Sequence, residues 1–299
     1  MTAYSIACLA GDGIGPEVMG QASRGMRAAA RLHGFALEEE HVPFGADATM
    51  RVGHPFPLDS RNTALAADAI LVATIDQALL TALEDELDLR AAVMRVRMNG
   101  ATITFLAPLR EDEWEWTLER AVATARSSRA HVTFLAGDDG WAAAASGHGL
   151  GVARVSTRQA IRALASKPEI FDVVVCALPL LVPLAELAWC LDSRRVLAWG
   201  RLAGEGPGIF GPNHGTAADI AGHGVADPTS MLLAAALMLG EGLGERGAAA
   251  TLSSAVSYVR GNGSPRAVGT VPMSTELTDA VLAQLPHSHS NAEFLTAAV

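Results

Sequence analysis

The sequence predicts an α/β protein in which parallel or mixed sheets are flanked by helices and the chain is divided into two domains. Three observations carry this. Short apolar runs such as DAILVAT (68–74) and FDVVVC (171–176) read as strands. They alternate with longer stretches whose apolar residues recur at helical spacing. At 299 residues, half of them apolar, the chain can bury the core of one large domain or two.

Taken in order, Tyr4 to Leu9 alternates as a first strand, GDGIGP (11–16) is a turn, and Glu17 to Gly34 is a helix. Phe35 to Val42 is a second strand, Phe44 to Leu58 a Gly/Pro loop, Asp59 to Ala66 a short helix, and Asp68 to Thr74 a buried strand. Asp76 to Leu89 reads as an acidic helix and Val93 to Met98 as a strand. ATITFLAP (101–108) is another strand, and the helix from Glu111 to Ser127 has an acidic start that suits its dipole. His131 to Leu135 is a strand, Ser156 to Ala165 a helix, and Phe171 to Cys176 a strand. Met231 to Leu239 reads as a buried helix, and the chain closes on a last helix with a frayed tail, HSHSNAEF (287–294).

Composition removes several classes of function. A formal net charge of -10 disfavours nucleic acid and anionic membrane as partners. The longest apolar runs carry prolines and fall short of a membrane span. With no basic leader at the N-terminus the chain reads as cytoplasmic. Cys8, Cys176 and Cys190 are unevenly spaced, which argues against a disulfide framework or a zinc knuckle. Of 22 basic residues one is a lysine, Lys167, and the tyrosines are Tyr4 and Tyr258. That scarcity restricts the acid/base chemistry available.

The stretch from Gly204 to Pro228, GEGPGIFGPNHGTAADIAGHGVADP, stands out. Its glycines let the backbone approach a ligand closely, and a loop that feeds a helix exposes N–H groups suited to phosphate. Its wording is more specific. HGTAADIAGHGVADP (214–228) resembles the adenosine-binding loop of the β-decarboxylating dehydrogenases, the isopropylmalate, isocitrate and tartrate dehydrogenase family. The family pattern there is His-Gly-Ser/Thr-Ala-Pro-Asp-Ile-Ala-Gly-x-Gly-x-Ala-Asn-Pro. LAGDGIGPEV (9–18) resembles the family's first strand, loop and helix, and MSTELTDAVLAQL (273–285) its last helix. The resemblance covers both ends and thins in the middle.

This likeness implies an isopropylmalate dehydrogenase-like fold, with residues 1–98 and 198–299 forming the larger domain and 99–197 a shortened middle domain. It also implies a homodimer through that middle domain, with the helix around Leu184 to Leu191 in the contact. Family members oxidise a hydroxy-acid using NAD or NADP, a tyrosine–lysine pair, substrate arginines, and aspartates around Mg²⁺ or Mn²⁺. Carried over residue by residue, the lysine position falls on Gly137, within LAGDD (135–139). The tyrosine belongs to an insert that is missing between Val93 and Glu111. The metal motif aligns with LPLLVPLAE (178–186), so that Leu178 replaces an asparagine, Val182 the first aspartate, and Glu186 keeps the second carboxylate. The substrate-arginine position falls on Met94, beside Arg95.

The resemblance gives Ile14, His214, Gly215, Asp219, Ile220 and Asp227 as the cofactor positions, of NAD rather than NADP type. Asp227 stands for an adenine-reading asparagine and Ala218 for a proline. The loop reads either as retained NAD binding or as inherited architecture. Asp138, Asp139 and Glu186 are the candidate catalytic carboxyl groups, because a carboxyl facing an apolar wall has a raised pKa and can act as a general acid. Met94, Arg95, Trp141, Leu178, Leu181 and Val182 are the candidate substrate contacts. No metal site is expected and no cofactor is required, with NAD the one retained option. The sequence supports, in this order, an enzyme of redox-neutral chemistry on a largely apolar small molecule, a non-catalytic relative, and an NAD-dependent dehydrogenase with a rebuilt site.

Overall fold

The computed structural model describes residues 1–75, 77–84, 86–98, 101–135, 139–191, 197–261 and 273–296. In chain order the elements are β1 (Ala3–Leu9), α1 (Gly15–Leu32), β2 (Ala36–His41), α2 (Ala46–Val52), α3 (Leu58–Ala66), β3 (Ala69–Val72) and α4 (Gln77–Glu84). Then follow β4 (Leu89–Met98), β5 (Ala101–Pro108), α5 (Trp114–Arg126), β6 (His131–Leu135), α6 (Asp139–Ser146), β7 (Gly151–Val155), α7 (Thr157–Ser166), β8 (Val173–Cys176), α8 (Leu178–Leu191) and β9 (Leu197–Ala203). The chain ends with β10 (Gly208–Pro212), α9 (Thr229–Leu237), α10 (Arg246–Gly261) and α11 (Ser274–Thr296).

These elements gather into two compact units, Met1–Asp88 with Ala203–Val299, and Leu89–Leu202. In unit 1 the strands lie in the order β2-β1-β3-β10, with parallel pairing throughout. β3 reads AILV and all four residues are buried, as expected of a parallel strand covered on both faces. α1 turns Val18, Met19, Ala22, Met26 and Ala29 inward, one apolar stripe at helical spacing, and packs on α9, α10 and α11. The apolar run of α9 is buried almost all round, so it sits among other elements instead of presenting one face.

Unit 2 has the strand order β9-β4-β5-β8-β6-β7, with β4 and β5 antiparallel and β5, β8, β6 and β7 parallel. Its core joins Val96, Ile103, Phe105, Leu164, Phe171, Val174, Leu184 and Leu197. α7 starts on a capping box in which the Ser156 side chain accepts from the Gln159 N–H and Gln159 reaches back to the Ser156 N–H.

The structure departs from the sequence expectations in identifiable places. Residues 89–98 belong to unit 2, because β4 pairs along its length with β5, from Ala91 against Pro108 to Met98 against Ala101. The stretch expected as a loop, Phe44 to Leu58, contains α2. Its N-terminus is capped from afar, the Asp12 carboxylate accepting from Ala46 N at 2.8 and 2.9 Å and from Asp47 N at 3.3 Å. α11 continues through the tail expected to fray and carries Pro286 within it. No helix among the described residues is long and apolar enough to cross a membrane.

Candidate nucleotide-binding site

The glycine turn after β1 and the loop after β10 meet in unit 1. Ile14 N donates to Thr216 O at 2.8 Å, which pins the loop to the start of α1. Gly13 has φ +60 and a Cβ there would lie 2.0 Å from Thr216 O, so a side chain is excluded by both conformation and space. Ile14 itself is buried, so its backbone and not its side chain serves the loop. Thr74, two residues past β3, closes the turn by accepting from Asp12 N at 2.8 Å.

Glu17, in the first turn of α1, holds the far side of the loop. Its carboxylate accepts from Gly224 N at 3.2 Å, from Ala226 N at 2.9 Å and from Ser274 Oγ at the start of α11. Neither Asp12 nor Glu17 was among the expected site residues. Both lie in the GDGIGPEV segment that carries the resemblance, which is the signal that pointed to them.

Within the loop, His214 carries the clearest sign of a ligand. Its Nδ1 lies 3.0 Å from Gly215 O, so Nδ1 carries the proton and Nε2 is left as an acceptor. Nε2 is buried and has no hydrogen-bond partner. An orphaned acceptor of this kind is costly and fits an O–H or N–H from a bound molecule. Asp219 and Gly215 are exposed and Ile220 is half-buried. Acceptors in a glycine-rich loop suit the hydroxyls of a ribose.

Asp227, expected to face the cofactor, is engaged by its own chain. One oxygen accepts from Thr229 N at 2.9 Å and Thr229 Oγ1 at 2.6 Å, fixing the start of α9, and the other pairs with Arg260 Nη1 at 2.9 Å. The residue expected to read adenine thus works as a helix-start anchor. The loop departs from the family pattern at the position of the adenine-reading asparagine.

The histidine also gives an acid-side expectation. Desolvation, the largest influence, holds the His214 imidazole below its ordinary 6.5, against opposing pulls from the carbonyls of Gly215 and His214 and from Asp227. The unfolded chain therefore binds more protons below that value, and stability falls as pH drops through and below about 6.5. Urea midpoints should drop more for the wild type than for His214→Gln between about pH 7 and about pH 5.5. Equal drops would show that His214 takes up its proton as freely folded as unfolded.

In unit 2 the expected residues divide. Leu178, Val182 and Glu186 follow one another at one-turn spacing on α8, with Leu178 37% and Val182 52% exposed and Glu186 half-buried. They form an accessible stripe that is apolar over two turns and ends on a carboxylate. Leu181 and Met94 do not join it, because both pack in the apolar core of the unit. Arg95 donates from Nε to Thr104 Oγ1 on the paired strand at 3.1 Å. Asp138 lies outside the described residues, and Asp139 and Trp141 are placed on α6 without description of their side chains. The guanidinium carbons of Arg90 and Arg120 lie 6.0 and 5.6 Å from the ring centre of Trp116. Lys167 is exposed at the end of α7, and Tyr4 donates to Glu245 Oε1 at 2.9 Å. A hard divalent cation wants several carboxylate oxygens, and the side chains of Leu178 and Val182 supply none, so the α8 positions do not fit Mg²⁺.

Residues 5–114 and 159–266 match the isocitrate/isopropylmalate dehydrogenase family. The 3-isopropylmalate dehydrogenase of Synechococcus sp. (strain CC9605) is 29% identical over 88% of this chain and 92% of its own. That of Prochlorococcus marinus (strain MIT 9313) is 30% identical over 87% of this chain and 91% of its own. Among solved structures, a β-decarboxylating dehydrogenase from Thermococcus kodakarensis superposes with a TM-score of 0.79 at 22% identity, covering 95% of this chain and 96% of that one. An isocitrate dehydrogenase from Methylococcus capsulatus gives 0.73 at 19% identity, over 94% and 99% of the two chains.

Proposed function

The chain belongs to the isocitrate/isopropylmalate dehydrogenase family, and from that premise we propose that it no longer performs metal-dependent oxidative decarboxylation. It instead catalyses a redox-neutral reaction, such as a cyclisation, isomerisation or elimination, on a largely apolar small molecule. The observation that carries the reading is the α8 stripe. The positions that the resemblance assigns to an asparagine and the first aspartate of the metal motif are Leu178 and Val182, both accessible, with Glu186 one turn further on. A stripe of this kind holds an apolar skeleton and brings a single carboxyl group to its end. Oxidation of a hydroxy-acid has little support, since the lysine position is Gly137, Lys167 is exposed on a helix end, and Tyr4 is bonded to Glu245. The protein works in specialised metabolism on this reading, as a homodimer through unit 2.

Purified protein given isopropylmalate or isocitrate with NAD⁺ and Mg²⁺ should form no NADH above background, and Mg²⁺ alone should leave the thermal midpoint unchanged. The apolar fluorophore 1-anilinonaphthalene-8-sulfonate should bind the folded protein and lose affinity in Val182→Asp. Metal-dependent NADH formation, or fluorophore binding indifferent to that change, would overturn the reading.

A second reading keeps NAD. It is favoured by the buried, unpartnered Nε2 of His214. NAD⁺ at 100 times its Kd would add about 2.7 kcal/mol to stability, an effect that His214→Gln should reduce. A clear NAD⁺ response would move the assignment towards a dehydrogenase with a rebuilt acid/base pair. Its absence would leave the glycine loop as inherited architecture.

A further inference from the structure

Away from the glycine loop, the outer edge of the unit 1 sheet brings three metal-ligating side chains together. β2 is the edge strand, and its parallel register with β1 sets Glu39 opposite Ile6 and His41 opposite Cys8. Alternate residues of a strand share a face, so Cys8, Glu39 and His41 stand on the same side of the sheet. Cys8 Sγ, a Glu39 carboxylate oxygen and a His41 ring nitrogen all lie within 4.8 Å of one another.

Glu39 gives this cluster its meaning. Its side chain is 0% exposed, a costly place for a carboxylate. Oε1 accepts from Arg27 Nε on α1, whereas Oε2 is buried and accepts no hydrogen bond. His41 Nε2 stands 3.5 Å from Oε2, too far for a good hydrogen bond. A tetrahedral Zn²⁺ with bonds of about 2.0–2.1 Å to N and O keeps two such ligands roughly 3.3–3.4 Å apart. The bare oxygen and the ring nitrogen are thus already spaced as two corners of a metal tetrahedron, with Cys8 available as the third.

We infer that Cys8, Glu39 and His41 form a binding site for Zn²⁺ or another borderline-soft divalent cation. One sulfur, one nitrogen and one carboxylate oxygen suit such an ion better than Mg²⁺ or Ca²⁺, which prefer oxygen alone. The His41 side chain is 50% exposed, which gives the ion a path inward. Cys8 binds such an ion as its thiolate, so loading the site releases a proton to solvent. The bound ion ties β2 to β1 at the sheet's free edge, where backbone pairing comes from one side only.

Cobalt(II) tests the assignment, because a thiolate–cobalt bond absorbs in the near ultraviolet. The full chain is used with Cys190→Ser, which removes the exposed thiol. Titration should give a saturable charge-transfer band at a single equivalent, bleached by Zn²⁺ and absent when Cys8→Ser is added. His41→Gln, at a half-exposed residue, should weaken cobalt binding by at least about tenfold, the loss that outer-sphere partners of a metal already cause. The assignment is overturned by the absence of the band, by its persistence in Cys8→Ser, or by unchanged affinity in His41→Gln. If Cys8→Ser does not fold, His41→Gln decides.

Discussion

Replacing Gly13 with alanine should cost at least about 3 kcal/mol and release the loop from the start of α1. Three effects add. A left-handed backbone, here at φ +60, costs an L-residue about 1–2 kcal/mol. The new Cβ would meet Thr216 O at 2.0 Å and Thr216 C at 2.7 Å, and backbone atoms cannot rotate away as a flexible side chain can. Relief therefore means moving Thr216, which breaks its hydrogen bond to Ile14 N and strands a donor worth about 1–3 kcal/mol. Gly34 supplies the control. It also has positive φ, at +77, but nothing lies within 4 Å of its Cβ direction, so Gly34→Ala should lose only the conformational part. Urea unfolding at constant m-value measures both. Equal losses in the two variants would show that the turn and the loop do not press on one another.

Asp172→Ala should be comparably severe, at roughly 3–5 kcal/mol. The carboxylate is buried at 3% exposure just before β8. It accepts from Ser128 Oγ at 2.8 Å, Arg129 N at 3.0 Å and His131 N at 3.2 Å, and Arg129 Nε stands 3.9 Å away. Alanine would leave two backbone N–H groups without their acceptor between α5 and β6. Asp172→Asn keeps one acceptor oxygen and should fall between alanine and wild type. Thermal and urea denaturation followed by circular dichroism would order the three proteins. An alanine variant within about 1 kcal/mol of wild type would show that water replaces the carboxylate there.

The strands and long helices were legible because their signals are local. AILV in β3, VVVC in β8 and the stripe of α1 each announce burial within a few residues. α2 was hidden because Asp12, which caps it, lies more than thirty positions earlier in the chain. Asp172 looked like an ordinary strand flank, since nothing nearby in sequence shows that the chain from Ser128 to His131 folds against it. At the candidate site the motif singles out His214, Asp219 and Asp227 alike, and nothing in it shows that Asp227 is bound by Thr229 and Arg260. Leu181 and Met94 were misplaced for another reason. Pocket walls and cores use the same apolar side chains, and helical phase decides which one Leu181 and Val182 join. The Cys8, Glu39 and His41 cluster is a product of strand register, and its members are more than thirty positions apart at the extremes.

Unit 1 is built from two lengths of chain with all of unit 2 between them in sequence. This fixes an order of assembly. A chain emerging from the ribosome completes β1, β2 and β3 more than a hundred residues before it supplies β10, which covers the far edge of β3. Until then the AILV strand offers an apolar, unpaired edge, the kind that recruits other chains. Glu17 waits longer still, because Ser274 joins it only when α11 has been made. The contiguous middle unit gains its own partners first, and the glycine loop is among the last parts to settle.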